Sequence, residues 1–364
     1  MTPAPVLGRR ALNRALLGRQ YLLAPAQMST LELIEHLVGV QAQAPLAPYV
    51  GLWSRTVDFN PDELGVLLTS RAAVRATLMR ATVHLVSARD CLAMRTLVDP
   101  VLRSGFAGHF RNVITGMDVP AVTEVGQRLL TGAPRTHAQI RTLLGARWPG
   151  SDPDGLAYAV RYLVPNVQVT PRGVWGSSGP AALTTIEAWL GRRPDPSPSI
   201  DEFVRRYFAA FGPASVRDLQ LWCGLTKLRE VVDRLPGLRT FQDEDGRELF
   251  DVVDGPLPDP ETPAPVRYLP EYDNVLLSHA DRRHIIPDGR AVPLPPGNGA
   301  RAGTVLVDGH YLADWRIGQP AVLTVTTFRP LTKAERTETA EEGARLLRFA
   351  VPDAGTIDVQ IREP

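Results

Sequence analysis

The chain has 364 residues, with 40 Lys+Arg against 39 Asp+Glu and 44% hydrophobic residues. At ~150 residues per domain, this length suggests two or three domains. A net charge of +1 excludes a strongly basic protein that coats DNA, and the apolar content excludes an acidic disordered chain.

The near-neutral balance conceals two asymmetries. Of the 40 basic residues, 38 are Arg and two are Lys, Lys227 and Lys333. Residues 1–190 carry 18 Arg and 12 acidic residues, a net +6, whereas residues 191–364 carry 22 basic and 27 acidic residues, a net −5. A polyanion should therefore contact the first half more. The start of the chain, Met1 to Val6, lacks the apolar run of a secretory leader, and no stretch approaches 18 apolar residues. A cytoplasmic chain with no membrane contact is expected, with monomer as the default state.

In chain order, the first signal is Ser29-x-x-Glu32, which predicts a helix start. Leu31, Ile34, Leu37, Val38 and Gln41 then share one helical face, which predicts that Gln41 ends that helix. Residues 73–79 and 82–86 alternate like a hairpin. Ser87-x-x-Asp90 predicts the next helix. Residues 167–175 suggest a second hairpin turning at Pro171-Arg172-Gly173. Pro194 to Pro198 suggests a short linker. Ser199-x-x-Glu202 precedes Phe203, Tyr207 and Phe211 at helical spacing, and Ser215-x-x-Asp218 starts another helix. Residues 238–252 suggest a third hairpin, turning at 243–246. Gly255 to Pro265 suggests an extended linker. Helices followed by a hairpin thus occur three times, the pattern of a winged helix-turn-helix. The final hundred residues suggest strands at Val266–Leu277, Thr304–Val307, Ala321–Phe328 and Thr356–Arg362, a proline-marked loop at 293–296, and a helix after Thr332-x-x-Glu335. The expected class is α+β: three tandem winged-helix units (1–115, 116–193 and 199–254) and a small C-terminal β-barrel with one helix (266–364).

Phosphate-loop, serine-hydrolase and zinc-protease signatures are absent from the sequence. His279 and His284 are five apart, a poor spacing for two metal ligands on one helical face. Cys91 and Cys223 lie 132 positions apart in apolar settings and are expected in the core, as are Trp53, Trp148, Trp189 and Trp222.

The most informative segment is Gln41-Ala42-Gln43, followed by Pro45. Pro45 disfavours helix at Ala44, so an extended exit is expected, in which residues two apart point the same way. Taken with Arg80–Val86, Leu269–His279 and Val307–Gly309 in order, this segment resembles the AlkZ-like bacterial DNA glycosylases. The resemblance covers almost the whole chain. Gln43 places the chain in the Gln-apolar-Gln branch rather than the Gln-apolar-Asp branch. The resemblance implies three winged helices and a barrel. It also implies excision of bulky N7-alkylguanine from double-stranded DNA, in some members including crosslinks. Members often protect producers of DNA-alkylating natural products. Gln41 and Gln43 are then the expected catalytic residues, and no metal or organic cofactor is implied.

The chemistry is consistent with two amides. A purine alkylated at N7 is already cationic and leaves as a neutral base, so it needs little general acid. A glutamine can hold a water through its carbonyl and donate through its NH₂. With two lysines available as Schiff-base amines, a monofunctional enzyme without lyase activity is expected. Arg75, Arg80 and His84 on the first hairpin are candidate DNA contacts. So are His279, Arg282, Arg283 and His284 in a basic loop of the acidic half. Arg9, Arg10, Arg14 and Arg19 are candidates for a DNA channel or a solvated helix face. Tyr272, Asp273 and Asn274 suggest barrel architecture. The alternative function is a noncatalytic winged-helix regulator or lesion sensor.

Overall fold

The structure is a computed structural model that describes residues 4–292 and 302–364. The proline-marked loop at 293–296 lies outside the described residues. All five capping patterns open helices: Thr30–His36, Ala88–Leu97, Ile200–Phe211, Val216–Cys223 and Lys333–Ala350. In each, the hydroxyl of Ser29, Ser87, Ser199, Ser215 or Thr332 accepts the N–H of the residue three later. That satisfies one of the donors that a helix start leaves open.

The helix after Ser29 is shorter than its apolar spacing suggests. It ends at His36, and Gln41 lies in a strand, Val40–Gln41. Val38 (φ 54°) and Gly39 (φ 93°) take left-handed conformations that turn the chain out of the helix. A Cβ on Gly39 would lie 2.7 Å from Val86 Cγ1, so the backbone passes too close for any larger residue.

Among the described residues the strands form three sheets. The largest is antiparallel and runs Val40–Gln41, Val83–Ser87, Ala73–Thr77, Asn166–Gln168, Ala182–Thr185, Arg135–Thr136. The first expected hairpin is present, as Ala73–Thr77 with Val83–Ser87. The second differs from expectation. Asn166–Gln168 pairs with Ala182–Thr185, and residues 173–175 form no strand. Arg75 pairs with Gln168 and Ala76 with Val167, so both sets of strands belong to one sheet. The third hairpin, Leu238–Asp243 with Glu248–Val252, is present and is joined by Val6–Leu7.

The C-terminal sheet is open, which corrects the expected barrel. Its order is Arg267–Leu269, Gly303–Val307, His310–Gly318, Val322–Thr327, Asp358–Arg362. The expected strand at 266–277 stops at Leu269, and Asn274–Leu277 is a short helix. His310–Gly318 is a strand that the sequence reading missed. Helix Lys333–Ala350 lies where closure would occur and satisfies the first edge. Val266 N–H donates to Glu338 Oε1 (2.7 Å), and Tyr268 O–H donates to the Thr339 carbonyl (2.8 Å). Leu346 and Leu347 fill the sheet face with Val305, Leu323 and Val325.

The N-terminal helix, Arg9–Arg19, ties these parts together. Arg19 donates to both carboxylate oxygens of Asp251 (2.6 and 2.9 Å), and both side chains are buried. Arg14 is buried against Asp308 and the Thr262 carbonyl. Arg9 and Arg10 pair with Glu244 and with Asp308 and Glu261. These arginines are structural, so neither a DNA channel nor a solvated face describes Arg14 or Arg19. Contacts from Arg14 to Thr262 and from Arg19 to Pro256 also hold the proline-rich stretch at 255–265 against the helix. Cys91, Cys223 and Trp222 are buried as expected, while Trp53, Trp148 and Trp189 are only partly so. No helix among the described residues is long and apolar enough to cross a membrane.

Candidate active site

Gln41 sits opposite His84 in the sheet, and Ala42 N–H donates to the Val83 carbonyl (2.8 Å). This register places both glutamines against the start of strand Val83–Ser87. Gln41 Oε1 accepts from Arg80 Nη2 and Thr82 Oγ1, each at 3.3 Å. Gln43 Oε1 accepts the Val83 backbone N–H at 3.3 Å. The Thr82 hydroxyl and the Val83 backbone N–H belong to consecutive residues, so the two amides bond side by side at the start of this strand. Arg80 and Val83 N–H can only donate, so each contact defines which amide atom is oxygen. Gln41 is buried and Gln43 is half-buried. The expected strand-like exit holds as far as Ala42, after which the chain bends.

Gln43 lines a cavity of about 430 Å³. Arg75, Gln168 and Arg172 form the wall on its own sheet and the following loop, and His137 and Arg161 come from two helices. Glu271 and Tyr272 close the side nearest the C-terminal region. Gln41 does not line this cavity. The wall carries three guanidinium groups against one carboxylate, a balance that suits an anionic ligand.

Two supports hold the Gln41–Gln43 segment. Arg75, buried between the sheet and this segment, donates to the carbonyls of Ala42 (2.8 Å) and Pro45 (3.3 Å) and to Gln168 Oε1 (3.2 Å). Burial, helped by nearby Arg172, pushes its guanidinium down to about 10. Asn274 Nδ2 donates to the Gly39 carbonyl (2.8 Å), while neighbouring Asp273 accepts two bonds from buried Arg55 (2.8 and 2.9 Å). The segment at 272–274 thus shapes the site rather than a barrel.

The expected DNA contacts mostly face inward. Arg75 and Arg80 are engaged as above, with Arg80 Nη1 also donating to the Trp222 carbonyl. His84 is buried; its Nδ1 meets the Thr82 carbonyl at 3.0 Å, and its Nε2 has no partner. Burial and the adjacent Arg80 push it down to about 3, so it is neutral. His279 and His284 are buried edge to face, 4.7 Å apart, and burial lowers both. Arg283 is ion-paired with Asp245 and Asp281 at the surface, so its charge is met within the chain. Arg282 is the exception. It is partly buried and has no ion-pair partner among the described residues. Glu271, Tyr272, His137, Arg161, Gln168 and Arg172 were not singled out as site residues in the sequence. Glu271 and Tyr272 adjoin the Asp273-Asn274 pair, and that proximity was the one available signal.

Fold and site together define an α+β protein whose largest sheet carries a paired-amide centre beside a cationic cavity. The chain belongs to the AlkZ-like DNA glycosylase family, whose model matches residues 34–349, so its substrate is DNA and its class is glycosylase. Among solved structures, the DNA glycosylase AlkZ of Streptomyces sahachiroi shares the fold. Its TM-score is 0.74 at 19% identity, over 98% of this chain and 100% of that one. No curated protein matches the chain.

Proposed function

We propose that this protein is a monofunctional glycosylase for bulky N7-alkylguanine in double-stranded DNA, with Gln41 and Gln43 as its catalytic residues. The observation that carries this reading is the convergence of the two amides on Thr82–Val83. In the proposed step, a water oxygen bonds to C1′ of the sugar as the N-glycosidic bond breaks. The bonding pair returns to the purine, which leaves neutral, and the water's extra proton passes to solvent. The amides position the water and the developing sugar cation without exchanging a proton of their own. Neither His84, held neutral, nor a carboxylate is needed as acid.

A volume of about 430 Å³ lies within the range of pockets that enclose drug-sized ligands, which supports an adduct larger than methyl. The arginine-rich wall supports contact with flanking phosphates. Neither Lys227 nor Lys333 lines the cavity beside Gln43, which supports the monofunctional reading. The three helix-then-hairpin units are proposed to act as tandem winged helices. The role is base-excision repair, and in a producer of a DNA-alkylating compound it would confer self-resistance. Incubation with duplexes carrying single methyl, bulky or crosslinked N7-guanine adducts, followed by hot alkali, tests this. Strand breaks above spontaneous depurination, greatest for bulky adducts and sharply reduced, though still measurable, in Gln41→Ala and Gln43→Ala, are expected. Equal breakage by wild type and the double variant would overturn it.

A further inference from the structure

The two glutamines differ in what surrounds them. Gln41 Oε1 faces two donors, Arg80 Nη2 and Thr82 Oγ1. The single Thr82 hydroxyl proton is shared with the Met79 carbonyl (3.2 Å), so Arg80 is the donor that is always present. Gln41 Nε2 makes no hydrogen bond among the described residues. Gln43 Oε1, by contrast, accepts one N–H and keeps a lone pair beside the cavity.

Arg80 is held firmly for this task. It lies at the tip of the first hairpin, where Arg80 (φ 53°) and Ala81 (φ 59°) are successive left-handed residues. Two adjacent residues of this kind are costly for side chains other than glycine and persist only where surroundings impose them. Here backbone bonds close the turn, from Ala81 N–H to the Leu78 carbonyl (3.0 Å), from Leu78 N–H to the Thr82 carbonyl (3.0 Å) and from Thr82 N–H to the Met79 carbonyl (3.1 Å), and Arg80 Nη1 donates to the Trp222 carbonyl on the half-buried helix Val216–Cys223. The guanidinium is partly buried and has no carboxylate partner among the described residues. A charge left without a counterion in such a place is unfavourable for stability alone.

We propose that Arg80 is a positioning residue that fixes the Gln41 amide with its oxygen turned away from the substrate, making Gln41 the hydrogen-bond donor of the pair and Gln43 the acceptor for the attacking water. The inference rests on the glycosylase reading above. The charge on Arg80 polarises the Gln41 carbonyl and so strengthens its N–H donors. Gln43, held by a backbone N–H, keeps an oxygen free to take a hydrogen bond from water. The same fork couples the site to the third unit through Trp222.

Single-turnover base release from a duplex with one bulky N7-alkylguanine tests this, with DNA affinity and thermal unfolding measured in parallel. Arg80→Met is expected to slow release by about 10²-fold, the scale of a misplaced reacting group, with affinity nearly unchanged. Arg80→Lys should restore part of the rate. In a Gln41→Ala background the Arg80→Met loss should shrink to about twofold, the limit expected for uncoupled positions. Selective ¹⁵N labelling of glutamine side chains should show the Gln41 NH₂ signals displaced in Arg80→Met without DNA. If Arg80→Met does not fold, Arg80→Lys and Thr82→Val carry the same two readouts. A full loss persisting in the Gln41→Ala background, a loss confined to affinity, or unmoved Gln41 signals would each overturn the proposal. Absence of base release by the wild type would overturn the glycosylase reading instead, and the amide spectrum would then decide the Arg80 contact separately.

Discussion

Replacing Asp273 by Asn should destabilise the protein and loosen the segment behind the glutamines. Arg55 and Asp273 are both buried and share two charge-assisted hydrogen bonds of 2.8 and 2.9 Å. Arg55 has one other acceptor, the Gly51 carbonyl at 2.9 Å, and its Nε has none. Neutralising Asp273 therefore leaves a buried guanidinium without a counterion, which costs about 3–5 kcal/mol. At about 2.1 cal/mol/K per residue, unfolding of the chain as one unit converts this into a Tm drop of roughly 4–7 °C. Asp273 Oδ1 also caps helix Asn274–Leu277 through Val275 N–H (3.0 Å), an acceptor that Asn can preserve. The cap therefore does not contribute to the drop. Differential scanning calorimetry of Asp273→Asn, and of Arg55→Met combined with Asp273→Leu, separates the contributions. The apolar pair should recover most of the lost stability, because it removes both charges together. A Tm for Asp273→Asn within 1 °C of wild type would refute the reasoning.

Gly39→Ala should cost about 2–4 kcal/mol, combining the left-handed backbone penalty with overpacking against Val86. Chemical denaturation should show Val86→Ala recovering only the second part. His84 and His284 are each pushed down to about 3 by burial, so the unfolded chain takes up their protons at higher pH than the folded one. Their contribution is complete above about pH 6.5 and is lost as pH falls from there towards 3. His84→Gln should flatten the dependence of Tm on pH over that window, and an unchanged slope would count against a neutral buried His84. Borohydride should trap no covalent protein–DNA adduct. A trapped adduct abolished by Lys227→Ala would assign lyase chemistry to the exposed loop following Trp222.

Features encoded by short spacing were legible in the sequence. Ser-x-x-Glu and its variants placed five helix starts, because a cap needs only two residues three apart. Gly39, left-handed in the structure, is the sequence signal that the helix after Ser29 stops before Gln41. The second hairpin was misread because the partner of Asn166–Gln168 lies beyond a long loop, at Ala182–Thr185. His310–Gly318 was legible as well, since buried Tyr311, Ala313 and Trp315 alternate with Leu312, Asp314 and Arg316 at strand period. The intramolecular partners of the candidate contacts were illegible for a different reason. Arg80 finds its acceptor at Trp222 and Arg283 finds Asp245, partners far along the chain that local charge patterns do not reveal. Gln41 and Gln43 were legible as a motif, whereas their unequal hydrogen bonding required the fold.

The pairing of Arg75 with Gln168 and Ala76 with Val167 has a consequence for modularity. A fragment ending before residue 116 would keep both glutamines yet expose the edge of Ala73–Thr77 as an unpaired template for other strands. It would also lose Arg161, Gln168 and Arg172, and with them much of the cavity wall. The Gln41–Gln43 segment is thus not a portable cassette. Grafting it, or trimming the chain to a minimal enzyme, must carry the neighbouring strands along, and insertions are better tolerated at the exposed residues 176–178 than between strands Ala73–Thr77 and Asn166–Gln168.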